Sequence, residues 1–117
     1  MQDVFTDWYV RCALWASTTD DDTPMDEVYT AEDLSSEALQ AITEDCQRFQ
    51  REQAGLIASD IERAACDFWL TRNHHGAGFW DGDWGDEVGE KLTQASHAYP
   101  ECCLYVGDDG LIHLGPA

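Results

Sequence analysis

Apolar side chains recur at helical spacing in four stretches of this chain and at strand spacing near its end. Phe5, Trp8, Cys12 and Trp15 follow one another at intervals of three and four, the signature of a helix with one buried face. This predicts a helix over residues 4–17, ended by Thr18 and Thr19. Asp20-Asp21-Asp22-Thr23-Pro24 then reads as a solvated loop, and Tyr29-Thr30-Ala31-Glu32-Asp33 as a single turn.

A second helix starts after Ser35, a good N-cap with Glu37 favourable in the first turn. Leu34 and Leu39 hold the two positions of a hydrophobic staple, and Leu39, Ile42, Cys46 and Phe49 form the core stripe. Gly55 interrupts the pattern, and Ser59-Asp60-Ile61-Glu62 restarts it as a capping box. The third helix carries Ile61, Ala64 and Ala65 inward. Phe68-Trp69-Leu70-Thr71 fits either its last turn or the start of a strand, because a short apolar run suits both.

From His74 the texture changes. His74-His75-Gly76-Ala77-Gly78 is a turn, Phe79-Trp80 is strand-like, and Asp81-Gly82-Asp83 turns again. A fourth helix is expected over residues 86–99, with Val88, Leu92, Ala95 and Tyr99 on one face and Pro100 closing it. Leu104-Tyr105-Val106 and Leu111-Ile112-His113-Leu114 flank Gly107-Asp108-Asp109-Gly110, a β-hairpin with residues able to take positive φ. The expected fold is α+β: a helical N-terminal half packed on a small antiparallel sheet with a C-terminal β-hairpin. Residues 1–117 are expected to form a single acidic domain.

Charge changes this picture most. Twenty-four carboxylates face six Lys and Arg, a net charge of −18. Such a surface repels nucleic acid and acidic lipid and attracts basic protein surfaces. Residues 1–45 carry a net −11, residues 46–75 carry zero and residues 76–117 carry −7, a neutral hub between acidic flanks. Two bland explanations compete, solubility and adaptation to high salt. The second draws support from fifteen Asp against nine Glu and from Lys91 as the sole lysine. Self-repulsion among like charges destabilises a compact state, so a functional use of the charge accounts for it more readily.

At 44% hydrophobic residues the chain is too apolar for disorder, and no apolar run approaches the ~20 residues of a membrane span. Met1-Gln2-Asp3-Val4-Phe5 lacks the basic and apolar regions of an export signal. Five cysteines without C-x-x-C spacing suit reduced thiols in a cytoplasm better than a disulfide framework.

The stretch Asp67-Phe68-Trp69-Leu70-Thr71-Arg72-Asn73-His74-His75-Gly76-Ala77-Gly78-Phe79-Trp80-Asp81, with Ala13-Leu14-Trp15-Ala16-Ser17-Thr18 and Leu104-Tyr105-Val106-Gly107-Asp108-Asp109-Gly110, resembles a family of small acidic proteins. Bacteriophages and other mobile elements encode that family. The resemblance covers most of the chain. It implies a setting, the cytoplasm of an infected or host bacterial cell, and an anti-defence or host-takeover role. It implies no catalytic residues.

Several constellations invite chemistry. His74 and His75 with Asp81, Asp83 and Asp86 have the ligand types of a Zn²⁺, Fe²⁺ or Mn²⁺ site. Adjacent histidines do not easily ligate one metal, so a polar turn competes with that reading. A calcium loop beginning at Asp81 fails, since its fifth, sixth and twelfth positions hold Gly85, Asp86 and Leu92. Gly76 and Gly78 lack the lysine of a phosphate cradle. Cys66 near His74 or His75 is a possible thiol–imidazole pair, with four other cysteines competing.

The acidic clusters remain the best candidates: Asp20, Asp21, Asp22, Asp26 and Glu27; Asp81, Asp83, Asp86, Glu87 and Glu90; and Asp108 with Asp109. Trp8 and Trp15 are read as core. Trp84, in a Gly-flanked turn, is read as an exposed anchor for a protein interface. The leading expectation is a non-enzymatic inhibitor, without cofactor, that binds a basic nucleic-acid-binding protein as a DNA mimic. It would bind no nucleic acid or membrane directly. Its clusters and Trp84 would make the contact. A small metal-binding or hydrolytic protein built on His74 and His75 is the alternative, followed by a non-catalytic assembly protein with a solubilising surface.

Overall fold

The first three α-helices begin where a short polar side chain satisfies free backbone N–H groups. In the computed structural model, which describes residues 3–116, Asp3 caps α1 (Val4–Ala16) by accepting from Thr6 N at 2.8 Å. Ser35 caps α2 (Ser36–Ile57), accepting from Ala38 N at 3.1 Å. The third start differs from expectation: Asp60, not Ser59, caps α3 (Ile61–Arg72), accepting from Arg63 N at 3.1 Å. A carboxylate one residue later replaces the hydroxyl. The interruption expected at Gly55 falls instead at Gln53, whose backbone leaves helical geometry (φ −114°, ψ 15°). Phe68-Trp69-Leu70-Thr71 resolves as helix, since α3 continues to Arg72.

Between α1 and α2 the chain makes two short 3-10 turns, Met25–Glu27 and Ala31–Asp33. Helix α4 (Asp86–His97) follows Gly85, which takes φ 78°. The hairpin pairs β1 (Cys102–Val106) with β2 (Ile112–Pro116), antiparallel, with Leu104 opposite Leu114 and Val106 opposite Ile112. It is the sheet of an α+β fold and packs on the helices. Ser35 N donates to Ile112 O at 2.8 Å, which joins β2 to the start of α2. Phe79-Trp80 is not a strand: Phe79 N donates to the Thr71 hydroxyl at 3.0 Å, and its ring is buried. With its N–H spent on α3 and no neighbouring strand, that segment has nothing to pair with.

The core is aromatic. Phe49 and Phe68 stack with centroids 4.0 Å apart, and Phe5, Phe79 and Tyr99 surround them. Arg72 is buried beside them and makes four hydrogen bonds. It donates to Asp45 Oδ2 at 2.9 Å, to the Tyr9 hydroxyl at 3.2 Å and twice to Pro100 O.

Two expectations about α1 fail together. At about 100° per residue, Phe5, Thr6, Tyr9, Val10, Cys12, Ala13 and Leu14 fill the buried half. Trp8 (36% exposed) and Trp15 (63%) face outward with Val4. Arg11 lies between them on that outer stripe, paired with Asp7 at 3.1 Å, and a charged guanidinium resists burial. The cysteine expectation fails as well. Helices α1 and α3 pack side by side, bringing the Cα atoms of Cys12 and Cys66 to 5.2 Å, and their sulfurs form a disulfide. That separation lies within the usual span of about 4.4–6.8 Å. Cys66 is therefore not a free thiol for His74 or His75. Cys46, Cys102 and Cys103 are free.

Candidate interaction surface

The first acidic cluster stands on a closed loop. Thr18 bridges Pro24, Thr19 N donates to Thr23 O at 2.9 Å, and Met25 plugs the loop into the core. Asp22 takes φ 65°, and the Thr19 hydroxyl hydrogen-bonds Asp21 and pulls its carboxyl below the usual range. Asp20, Asp21, Asp22, Asp26 and Glu27 are all exposed.

The third cluster sits on the hairpin turn. Asp109 accepts from His113 Nε2 at 3.0 Å and from Leu111 N at 3.0 Å, and these bonds lower its carboxyl. Asp108 is exposed beside it. A cleft of 460 Å³ is walled by Asp20 and Asp21 on one side and by Tyr105 and Val106 of the hairpin on the other; Asp108 and Asp109 do not line it.

The second cluster opens α4, where Asp86 and Glu87 occupy the first turn. Glu87 pairs with Lys91 at 3.2 Å. Asp83 pairs with Arg63 at 3.0 Å, and Arg63 also reaches Asp60. This ties the cluster to α3, where a second cleft of 610 Å³ opens between α1 and α3. Asp26, from the first cluster, lines that cleft too. A third cleft of 520 Å³ links the others, sharing Tyr29 with the first and Asp26 and Arg11 with the second. Asp20, Asp21 and Asp26 of the first cluster thus line three neighbouring clefts, whereas the α4 and hairpin clusters line none of them.

Trp84 corrects the sequence reading. It is half-buried against the core, its ring edge-on to Phe79, and its indole N–H donates to Asp67 Oδ2 at 2.7 Å. It is no free anchor; it orients a carboxylate. Asp67 is 7% exposed, and burial raises its carboxyl above the usual range despite the Trp84 bond. Sequence reasoning missed Asp67, Asp60 and Glu62 as surface participants, and it misplaced Trp8 and Trp15. Val4, Trp8, Arg11 and Trp15 recur at helical spacing as a second apolar stripe, and the arginine on it is a hint of the outward face that does not by itself choose between the two stripes.

The histidines assemble differently from the expected metal set. His74, at φ 57°, stacks on His97 with centroids 4.4 Å apart, and its Nε2 lies 3.5 Å from Glu101 Oε1. His75 is exposed at the end of the α3 turn. Among the described residues, no three His, Cys, Asp or Glu side chains converge on a metal-binding geometry, and no helix is long and apolar enough to cross a membrane. Comparison with protein-family models, with curated proteins and with solved structures found no match.

Proposed function

We propose that this chain is a non-catalytic acidic inhibitor of a basic, nucleic-acid-handling host or defence protein, occupying a groove built for a phosphate backbone. The carrying observation is the series of three neighbouring clefts lined by acidic side chains, with Asp20 and Asp21 at one end and Asp26, Asp60, Glu62 and Asp67 at the other. The longest dimension of the molecule, 43 Å, equals the rise of about 13 base pairs at ~3.4 Å each. The resemblance to phage-encoded acidic proteins supports the same setting, the cytoplasm of an infected or host cell.

Charge of this kind sets the association rate and its salt dependence more than the affinity. The test is capture from nuclease-treated bacterial lysate on immobilised protein, eluted in salt steps and challenged with duplex DNA. The expected result is a nucleic-acid-binding protein released by moderate salt and displaced by duplex. The combined substitutions Asp20→Asn, Asp21→Asn, Asp108→Asn and Asp109→Asn should weaken capture and flatten its salt dependence. Capture of nothing at low salt, or equal capture by the substituted protein, would sink the proposal.

A further inference from the structure

We infer that the cleft between α1 and α3 receives an arginine side chain of the basic partner, which makes it the specificity pocket of the interface. This rests on the binding function proposed above and adds to it the chemistry of one contact. The outer stripe of α1 presents Trp8 and Trp15 beside the cleft, the residue type that most often anchors protein interfaces. The face of Trp8 already accepts a guanidinium, since Arg11 lies 5.1 Å from its ring centroid. Trp15 is the more exposed of the two, and no arginine of this chain lies over its ring among the described residues.

Charge selects the occupant. Both arginines at the cleft are already engaged, Arg11 by Asp7 at 3.1 Å and Arg63 by Asp60 and Asp83. Counting those partners, six carboxylates (Asp7, Asp26, Asp60, Glu62, Asp67, Asp83) stand against two guanidiniums. Asp26 and Glu62 have no ion-pair partner among the described residues. Asp67 also lines the cleft. The residue is 7% exposed, and Trp84 engages only Oδ2 of its carboxylate. The other oxygen has no protein donor among the described residues. A buried carboxylate with spare acceptor capacity, beside indole faces, suits a planar cation with several N–H donors. Guanidinium meets that description, because it stacks on aromatic faces and donates in a fork, whereas ammonium is a compact, strongly hydrated point charge.

The test titrates the full chain, ¹⁵N-labelled, with an amidated octa-arginine peptide and then with octa-lysine, in about 0.15 M salt. The indole N–H resonances of Trp8 and Trp15 should shift with octa-arginine. Trp15→Ala and Asp67→Asn should each weaken its binding about tenfold. Trp80→Ala, which removes an exposed indole outside the cleft, should leave binding unchanged. Both test sites tolerate change, Trp15 because it is exposed and Asp67→Asn because its amide oxygen still accepts from Trp84.

If both variants bind octa-arginine like the parent while neutralised Asp20, Asp21, Asp108 and Asp109 weaken it, the pocket is overturned and the acidic inhibitor stands. If the parent binds no basic peptide, both fall. Octa-lysine held as tightly as octa-arginine would overturn the arginine assignment. A dimer that Trp15→Ala converts to monomer in sedimentation would assign the stripe to a second copy of the chain instead.

Discussion

Asp67 shows how one side chain is set against the stability of its own fold. Burial raises its carboxyl above the usual value of 3.8, and the Trp84 hydrogen bond offsets only part of that. Between the unfolded and the raised folded pKa, the native state holds a proton that the unfolded state releases. Stability therefore falls as pH rises through that window. At neutral pH the ionised, buried carboxylate destabilises the fold, as charged groups at functional sites commonly do. Asp67→Asn removes the titration and keeps an acceptor for Trp84. It should be more stable than the parent at pH 7, and the advantage should vanish below the window. Urea unfolding at several pH values measures this. An advantage that persists at acid pH would mean that a cause other than the charge operates. Trp84 and Trp15 make the complementary point. A glycine-flanked tryptophan is not thereby exposed, nor a periodic one buried. Trp84 was drawn inward by a carboxylate seventeen residues away, and a carboxylate on another element is invisible to local pattern.

Elements were legible where their signals are local. Caps at Ser35 and near Ser59, Pro100 after α4 and the glycine-rich hairpin turn act within a few residues, and the elements stand near their expected bounds. The buried face of α1 was not legible, because two apolar stripes share that helix and only packing on α3 chooses between them. Close approach is another property that no local pattern carries. A Cβ added to Gly89 in α4 would lie 2.6 Å from the Phe79 carbonyl oxygen, a backbone atom that cannot swing away. Gly89→Ala would ordinarily gain about 1 kcal/mol of helix propensity. Overpacking against backbone costs about 1–3 kcal/mol and should prevail. The expected outcome is a lower urea midpoint with an unchanged slope. A rise in midpoint would show that α4 has room to retreat from the 79–84 turn.

Across the whole molecule, one covalent link and one field dominate. The Cys12–Cys66 bridge closes a loop over a sequence separation of 54 and ties α1 to α3 beside the arginine pocket. Loop-closure entropy for that length corresponds to about 4 kcal/mol. Reduction should therefore lower the calorimetric midpoint markedly, while Cys12→Ser/Cys66→Ser should be insensitive to reductant. A midpoint indifferent to reductant in the parent would mean that the thiols do not bridge in solution. The sequence alone determined the charge of −18, the helix starts to within a residue, the hairpin and the α+β class, because each arises from composition or from neighbours a few residues apart. Tertiary structure alone decided which face of α1 is buried, that Cys12 meets Cys66, that His74 faces His97 and Glu101, and that Trp84 serves Asp67. It also set Asp20, Asp21 and Asp26 of the first acidic cluster along neighbouring clefts. Those outcomes depend on contacts between elements far apart in the chain, where the packing of one helix on another, and not local periodicity, sets which side chains meet.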